Sequence, residues 1–411
     1  MLKKTAKCIV VSCLFFSHSM FCMICDSQFF PFYPKPRTRI TDKPSWFSVD
    51  PFFTRADSAY DDKENEILIP CLLGQYDQRK LGLALEKVGL DNPMPDAFMG
   101  FEAIWSIDQK IETGGVALSF EHMTFRPVAF GFTWLFMHAN SRHFFCLTDP
   151  ARLKLAGHIE ELKDARLQMH KDLGLCEAYS SRSGMGDFDA YIRVGDIWDY
   201  PLRFRRVDAG FTVGMIFPGG KKREINSVTT VPFGGDGHWG AYFKGDLELE
   251  LKEDIKAGFL MRFGKRFQKT KNMRLPVAGE HPLFGALVAP VCVDPGINFL
   301  FSGYASIENL RAGLGLRLGV NLCLQESSSF QDLRSDKEKD ALPAKLNAYE
   351  DVSRWTSEHI CLDVFYDFGK TAIDRGYKPI VTFSWDIPYM LFLSENVVRT
   401  HRISLGIEFN F

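Results

Sequence analysis

The chain has 411 residues, a formal net charge of −2 and 24% charged residues, with a mean hydropathy of −0.10. A nucleic-acid-binding protein would show an excess or a patch of basic residues, so the near-neutral charge argues against that class. After the N-terminus no segment approaches the length of a transmembrane helix, which excludes a helical membrane protein. The length suits about two or three soluble domains, or one barrel with long loops.

The N-terminus has the pattern of a secretory signal peptide. Three lysines precede an apolar stretch over residues 8–16, and Ser17-His18-Ser19 then offers a small-x-small cleavage site. We therefore expect a signal peptide over residues 1–19, followed by an N-terminal periplasmic segment over residues 20–44. An uncleaved anchor is the alternative, because residues 20–25 are also fairly apolar.

From residue 45 onward, apolar and polar residues alternate with the period of two that is typical of β-strands. The longest example runs from Leu310 to Leu324, where every second residue is apolar and the intervening positions include Arg311 and Arg317. The predicted strands cover residues 45–57, 103–122, 126–138, 186–199, 203–217, 236–251, 254–266, 295–308, 309–325, 354–369, 376–388 and 400–411. Twelve strands are thus expected, and fourteen is the alternative if residues 97–109 and 113–122 form separate strands.

Short and long connections alternate between these strands. Short turns are predicted near residues 122–124, 199–201, 252–254, 309 and 374–376. Long connections are predicted over residues 139–185, 218–236, 265–295 and 326–353, with a shorter one over 388–399. Bacterial outer-membrane barrels show this alternation, with turns on the periplasmic side and loops outside.

Two insertions have a helical pattern. Residues 58–102 contain Leu81, Ala84 and Leu85 at helical spacing, and residues 151–176 carry a longer apolar stripe after an Asp-Pro start. A helix between barrel strands either caps the surface or folds inward as a plug, and the pattern leaves both open.

The last strand carries the clearest family signal. Between His401 and Phe411, five apolar residues alternate with polar ones, and the chain ends on an aromatic residue. This pattern resembles the closing strand of Gram-negative outer-membrane β-barrels of the porin-like class. The resemblance implies that Phe411 is an assembly signal for the barrel-assembly machinery. It also implies an all-β membrane fold, an antiparallel transmembrane barrel over residues 45–411 in the outer membrane. A soluble β-sandwich also alternates, but the strand lengths and the Gly and charge content of the other face favour the barrel.

The motifs predict no enzyme, cofactor or metal site. Cys22 and Cys25 have the C-x-x-C spacing of redox and zinc sites but lack a second ligand pair. Export makes disulfides among the ten cysteines plausible. Ser357 and His359 share a strand face, as the catalytic pair of an outer-membrane phospholipase would, yet they lie on the polar face of the strand.

Charged residues on the polar strand faces are the candidate lumen lining. The candidates are Arg193, Glu248, Lys256, Arg262, Arg311, Arg317, Asp363, Asp367 and Arg402. Both signs occur in comparable number, so they either cross-link a closed interior or line a narrow wet channel. A passive channel for a small solute is the leading functional prediction, and a non-conducting surface or adhesion barrel is the alternative.

Overall fold

A computed structural model describes residues 27–30, 43–95, 98, 100–149, 151, 157–176, 178–200, 204–370, 378–390 and 393–411. The predicted signal peptide and the turn predicted at 374–376 lie outside these residues. The strands of the described residues are β1 (Ser45–Tyr60), β2 (Glu66–Ile67), β3 (Tyr76–Asp77), β4 (Ile104–Phe125), β5 (Val128–Leu147), β6 (Tyr179–Met185), β7 (Phe188–Asp199), β8 (Arg206–Phe217), β9 (Gly240–Lys252), β10 (Ile255–Arg266), β11 (Lys269–Leu275), β12 (Leu287–Asp294), β13 (Ile297–Arg311), β14 (Leu314–Gln325), β15 (Ser329–Asp332), β16 (Trp355–Asp367), β17 (Ile380–Pro388) and β18 (Val397–Asn410). The helices are α1 (Gln78–Lys87), α2 (Ile159–Asp172), α3 (Asp336–Ala341) and α4 (Asn347–Ser353), with short 3-10 turns at Ile69–Leu73, Pro282–Phe284 and Phe368–Lys370.

Twelve of the strands form a closed antiparallel barrel. Their order around the ring is β1–β4–β5–β7–β8–β9–β10–β13–β14–β16–β17–β18, and β18 pairs with β1. The backbone groups of Ser45 and Phe411 exchange two hydrogen bonds of 3.0 Å at this seam. The prediction of twelve strands is confirmed, and fourteen is excluded by the closed ring.

The outer face of the barrel is apolar because alternate side chains point outward. Leu316, Leu318 and Val320 on β14 are 44%, 56% and 51% exposed, whereas Arg317 between them is buried in the interior. Phenylalanines on β8, β9 and β10 are exposed in the same way. Contiguous exposed apolar surface of this kind is suited to lipid, and the strands therefore cross a bilayer.

At one end of the barrel, β4 extends beyond the apolar band that contacts lipid. On β4 the outward residues Val116, Leu118 and Phe120 give way to Lys110 and Glu112 toward the end of the strand that is distant from the seam residues Ser45 and Phe411. Charged residues replace apolar ones on the same face, so this end projects from the membrane into the extracellular medium.

The helices and a second sheet cover the extracellular end. Asp77 caps α1 by accepting a hydrogen bond from the Arg79 amide, and the helix buries Leu81 and Leu85. Gln78 joins the two helices to the wall, since its side chain accepts from Trp105 Nε1 at 2.8 Å and donates to the Leu162 carbonyl at 2.9 Å. Strands β11, β12 and β15 form a separate three-stranded sheet with its own apolar core. None of the helices in the described part of the chain is long and apolar enough to cross a membrane.

The turn predicted at residue 309 lies instead at Ala312-Gly313. Both residues have positive φ, 48° and 93°, and they join β13 to β14 as a two-residue hairpin. Arg311 and Leu314 are therefore directly opposed and share a face, which is the outward one. In the sequence the apolar alternation continues through the turn. In the structure the outward-facing positions change from odd-numbered residues before the turn to even-numbered residues after it. Arg311 is consequently exposed at the periplasmic rim, and its assignment to the lumen was wrong.

Candidate functional site: the barrel lumen

Most of the predicted lumen residues lie inside the barrel. Arg193, Lys256, Arg262, Arg317, Asp363, Asp367 and Arg402 are buried on the inner face, and Glu248 is half-buried beside them. Arg311 is the exception described above. Phe411 is exposed at the periplasmic end, next to the seam.

The interior ion pairs run mainly along the wall. Most pairs join residues on adjacent strands, or on strands one further apart, whereas Arg266 of β10 reaches Asp187 beside β7. The pairs that follow the wall are Arg193 with Asp208 (2.9 Å) and Asp246 (2.7 Å), Lys256 with Glu308 (2.8 Å) and Glu248 (3.6 Å), Arg317 with Asp363 (3.2 Å), and Arg402 with Asp386. This arrangement fastens neighbouring strands together and leaves the axis of the barrel free of these pairs.

A polar chamber occupies the periplasmic half of the lumen. It encloses about 1610 Å³ of empty space, including the part open to solvent, and strands from all sides of the ring line it. Its acidic residues are Asp50, Glu121, Asp189, Asp246, Glu248 and Glu408, and its basic residues are Arg193, Lys244, Arg262, Arg317 and Arg402. The two signs are nearly balanced, so the chamber as a whole favours neither cations nor anions.

The loop between β8 and β9 folds into the lumen above this chamber. Residues 227–231 of the loop are buried, as are Phe233 and Gly234, and Phe233 is 0% exposed. We call residues 218–239 the plug loop. It was expected to be an external loop, and the structure corrects that expectation.

Asp187 anchors the plug loop to the wall. It lies at the break between β6 and β7, both of which pair with β5, and it is 0% exposed. Its carboxylate accepts hydrogen bonds from the amides of Gly220 (3.0 Å) and Gly235 (2.7 Å) and pairs with Arg266 Nη1 at 2.9 Å. Gly234, with φ of 151°, passes so close that an added Cβ would lie 2.4 Å from the Asp187 carboxyl. The close approach requires glycine at this position.

An apolar layer lies on one side of the lumen at the level of the plug loop. Phe233 packs there with Phe52 of β1, Ile111 of β4 and Leu135 of β5. Phe30 from the N-terminal segment joins the same cluster. Members of the layer border both sides, since Phe52 lines the periplasmic chamber and the plug loop lines the cavity above. On this side of the barrel the layer therefore lies between the chamber and the cavity.

The N-terminal residues 27–30 lie inside the barrel. The Gln28 carbonyl accepts from the Val398 amide at 3.1 Å, and the Phe29 carbonyl accepts from Thr400 Oγ1 at 2.9 Å. Val398 and Thr400 belong to the extracellular end of β18, so these four residues are not periplasmic as expected. Their burial against the apolar layer accounts for the placement.

A second cavity opens above the layer toward the extracellular cap. It holds about 2340 Å³ of empty space, again including solvent-open volume. Its basic residues are Lys222, Arg223, Lys265, Arg266, Lys269, Lys271 and Arg274, and its acidic residues are Glu224 and Asp236. His238 also lines it, and burial lowers the pKa of this imidazole to about 4, so the ring is neutral at ordinary pH. We call this cavity the vestibule. In contrast to the periplasmic chamber, it is strongly basic.

Ser357 and His359, whose spacing resembles that of a catalytic pair, lie inside the barrel. Both residues are buried on the inner face, and His359 Nε2 lies 3.1 Å from the Thr400 carbonyl. Within the described residues, no cluster of three or more His, Cys, Asp or Glu side chains is placed to hold a metal ion. No two of the six cysteines in the described residues form a disulfide with each other.

The closed twelve-stranded ring, its apolar exterior and its charged interior define an outer-membrane β-barrel protein. No family model and no curated protein matches the chain. Among solved structures, the COG4313 outer membrane channel from Pseudomonas putida F1 matches with a TM-score of 0.52 at 10% identity, covering 92% of this chain and 100% of that chain. This likeness confirms the barrel fold.

Two further structures share less of the geometry. The translocator domain of the autotransporter NalP from Neisseria meningitidis has a TM-score of 0.34 at 9% identity, covering 90% of each chain. A FadL homologue from Pseudomonas aeruginosa has a TM-score of 0.35 at 9% identity, covering 90% of this chain and 91% of that chain.

Proposed function

We propose that the protein is a passive channel for a small solute across the outer membrane. The observation that carries the proposal is the arrangement of the interior charges. Most of the buried pairs follow the wall, so they leave the axis of the periplasmic chamber free of ion pairs, and the one pair between more distant strands, Arg266 with Asp187, lies above the chamber. A polar, hydrated chamber inside a lipid-facing wall is the arrangement that a water-soluble solute requires.

Two further features support a channel that is closed at rest. The apolar layer narrows the lumen beside the plug loop, and hydrophobic constrictions gate by dewetting. The plug loop that contributes Phe233 is held by side-chain and single backbone contacts, among them those of Asp187, Arg182 and Arg274, and not by a strand pairing. Displacing the loop would join the vestibule to the periplasmic chamber. The barrel that matches this fold is itself described as an outer membrane channel.

Recording from refolded protein in a planar bilayer tests the proposal. Wild type should give a small, infrequent current. A variant in which residues 227–233 are replaced by a Gly-Ser linker of equal length should give a larger one. The absence of current from both would contradict the proposal.

Two arginine variants test whether ions pass through the chamber. Arg262 lines the chamber, with its guanidinium 4.2 Å from the Tyr242 ring, whereas Arg311 is exposed at the rim. Arg262→Gln should shift the reversal potential in asymmetric salt toward cation selectivity, and Arg311→Gln should leave it unchanged. Equal shifts from both variants would mean that the chamber is not the conducting path.

The second candidate is a non-conducting surface barrel. The apolar layer favours it, because the lumen of the described structure is narrowed there. It predicts no current even from the loop-replaced variant.

A further inference from the structure

The vestibule contains two lysine side chains, the exposed Lys222 and the half-buried Lys269, that form no ion pair among the described residues, although Asp236 attracts Lys269 from further away. Lys222 Cε and Lys269 Nζ lie 2.7 Å and 2.9 Å from the point where a Cβ on Gly237 would stand, so the two side chains converge on one spot. Lys269 donates to the Gly237 carbonyl at 2.8 Å. Neither lysine has a carboxylate within 4.0 Å among the residues that the structure describes. Burial and then the like charge of Lys222 lower the pKa of Lys269.

The neighbouring cationic side chains are already engaged with other groups. Lys271 is already paired with Asp236 at 2.6 Å. Arg274 donates to the carbonyls of Leu173, Ile225 and Gly285, which are neutral groups. Two ammonium groups held together without an anion repel each other, and an anion between them would remove the repulsion.

Part of the vestibule wall is apolar. Phe29, Ile69, Leu72, Val231, Leu283 and Trp355 line the same cavity. A simple inorganic anion would make no use of these side chains. A ligand that places a charged head on the lysines and an apolar body against these residues would satisfy both parts of the cavity.

We propose that the vestibule is a binding site for a soluble anionic amphiphile, a molecule with one carboxylate or phosphate head and an apolar body, and that Lys222 and Lys269 hold the head. The inference names a ligand class for the proposed channel and depends on that function for its physiological role. Binding at the vestibule does not require an open lumen.

Equilibrium binding of octanoate to the full chain in nanodiscs of zwitterionic lipid tests the site. The double variant Lys222→Gln/Lys269→Gln should bind octanoate about tenfold more weakly or worse, because both head contacts are lost. The control Lys63→Gln/Lys337→Gln makes the same change of charge at two exposed lysines outside the vestibule and should bind like wild type. Unchanged affinity in the first variant, or equal loss in both, overturns the proposal.

Two more probes separate the parts of the ligand. The neutral analogue 1-octanol should bind wild type more weakly than octanoate does, and the double variant should not weaken it further. Inorganic phosphate should bind more weakly than octanoate, and equal binding would reduce the vestibule to a simple anion site and overturn the amphiphile. Conductance of the same preparations distinguishes the two proposals. Binding of octanoate without current would support the binding site and contradict the channel. Current without binding would support the channel and contradict the binding site.

Discussion

Asp187 is the residue whose substitution should change the lumen most with least effect on the wall. Asp187→Asn keeps the shape of the side chain and one acceptor oxygen. It removes the negative charge that lies 2.9 Å from Arg266 and weakens the contacts with the Gly220 and Gly235 amides. The strand pairings of β5 with β6 and β7 do not involve the side chain and should remain intact.

The size of the effect follows from burial. Asp187 is 0% exposed and Arg266 is 6% exposed, and breaking a buried pair costs about 3–5 kcal/mol. Because the asparagine retains one acceptor, the lower end, about 3 kcal/mol, is the better expectation. The contacts join the plug loop to the wall, so the cost falls on docking of the loop. A change of about 3 kcal/mol alters the ratio of docked to undocked loop by about two orders of magnitude.

Hydrogen exchange and single-channel recording measure this directly. Amides of residues 227–233 should lose protection in Asp187→Asn, and the open probability should rise. Asp199→Asn is the matched control, because its pair with Arg206 at 3.3 Å is exposed and worth about 0–1 kcal/mol. Unchanged protection of the loop in Asp187→Asn would refute the anchoring role, and lost protection with no rise in current would refute the loop as the gate.

Three further outcomes are expected. Leu316→Arg on the lipid face should destabilise the barrel by about 2–4 kcal/mol near the bilayer midplane in a refolding titration, while Leu167→Arg at an exposed position of α2 should cost less than about 0.5 kcal/mol; the opposite ranking would invert the assignment of faces. Deleting Phe411 should lower the amount of heat-modifiable barrel in the outer membrane, and unchanged levels would contradict its role as an assembly signal. Burial lowers the pKa of His170 to about 3 and of His281 to about 4, from an ordinary 6.5. Both rings are therefore neutral in the folded cap, and their contribution to the stability of the cap is complete above pH 6.5 and is lost as the pH falls toward 4. Exchange protection of α2, corrected for intrinsic rates, should fall between pH 6.5 and pH 4. A profile that stays flat over this range would contradict the prediction.

The wall of the barrel could be predicted from the sequence because its signal is local. Lipid on one side and a polar interior on the other impose a strict period of two, and residues 403–411 show it without ambiguity. The prediction failed at Arg311, since a two-residue turn reverses the phase while the apolar alternation runs on. Positive φ at Ala312 carries no strong sequence signal.

The contents of the lumen could not be predicted in the same way. The partners of Asp187, namely Gly220, Gly235 and Arg266, lie 33 to 79 positions away in the numbering, beyond the reach of any local pattern. One signal was present. Residues 225–233 carry no charge and include two valines and a phenylalanine, which is unusual for a solvated loop and indicates burial.

The seam between β1 and β18 determines when the barrel can close. β1 pairs with β4 on one side and with β18 on the other, and the contact with Phe411 uses the final residue of the sequence. A chain that lacks its last strand would leave two rows of unsatisfied backbone groups, and hydrocarbon offers them no water as a substitute. Closure therefore requires β18, and until β18 is in place β1 has only β4 as a partner and keeps one edge unpaired.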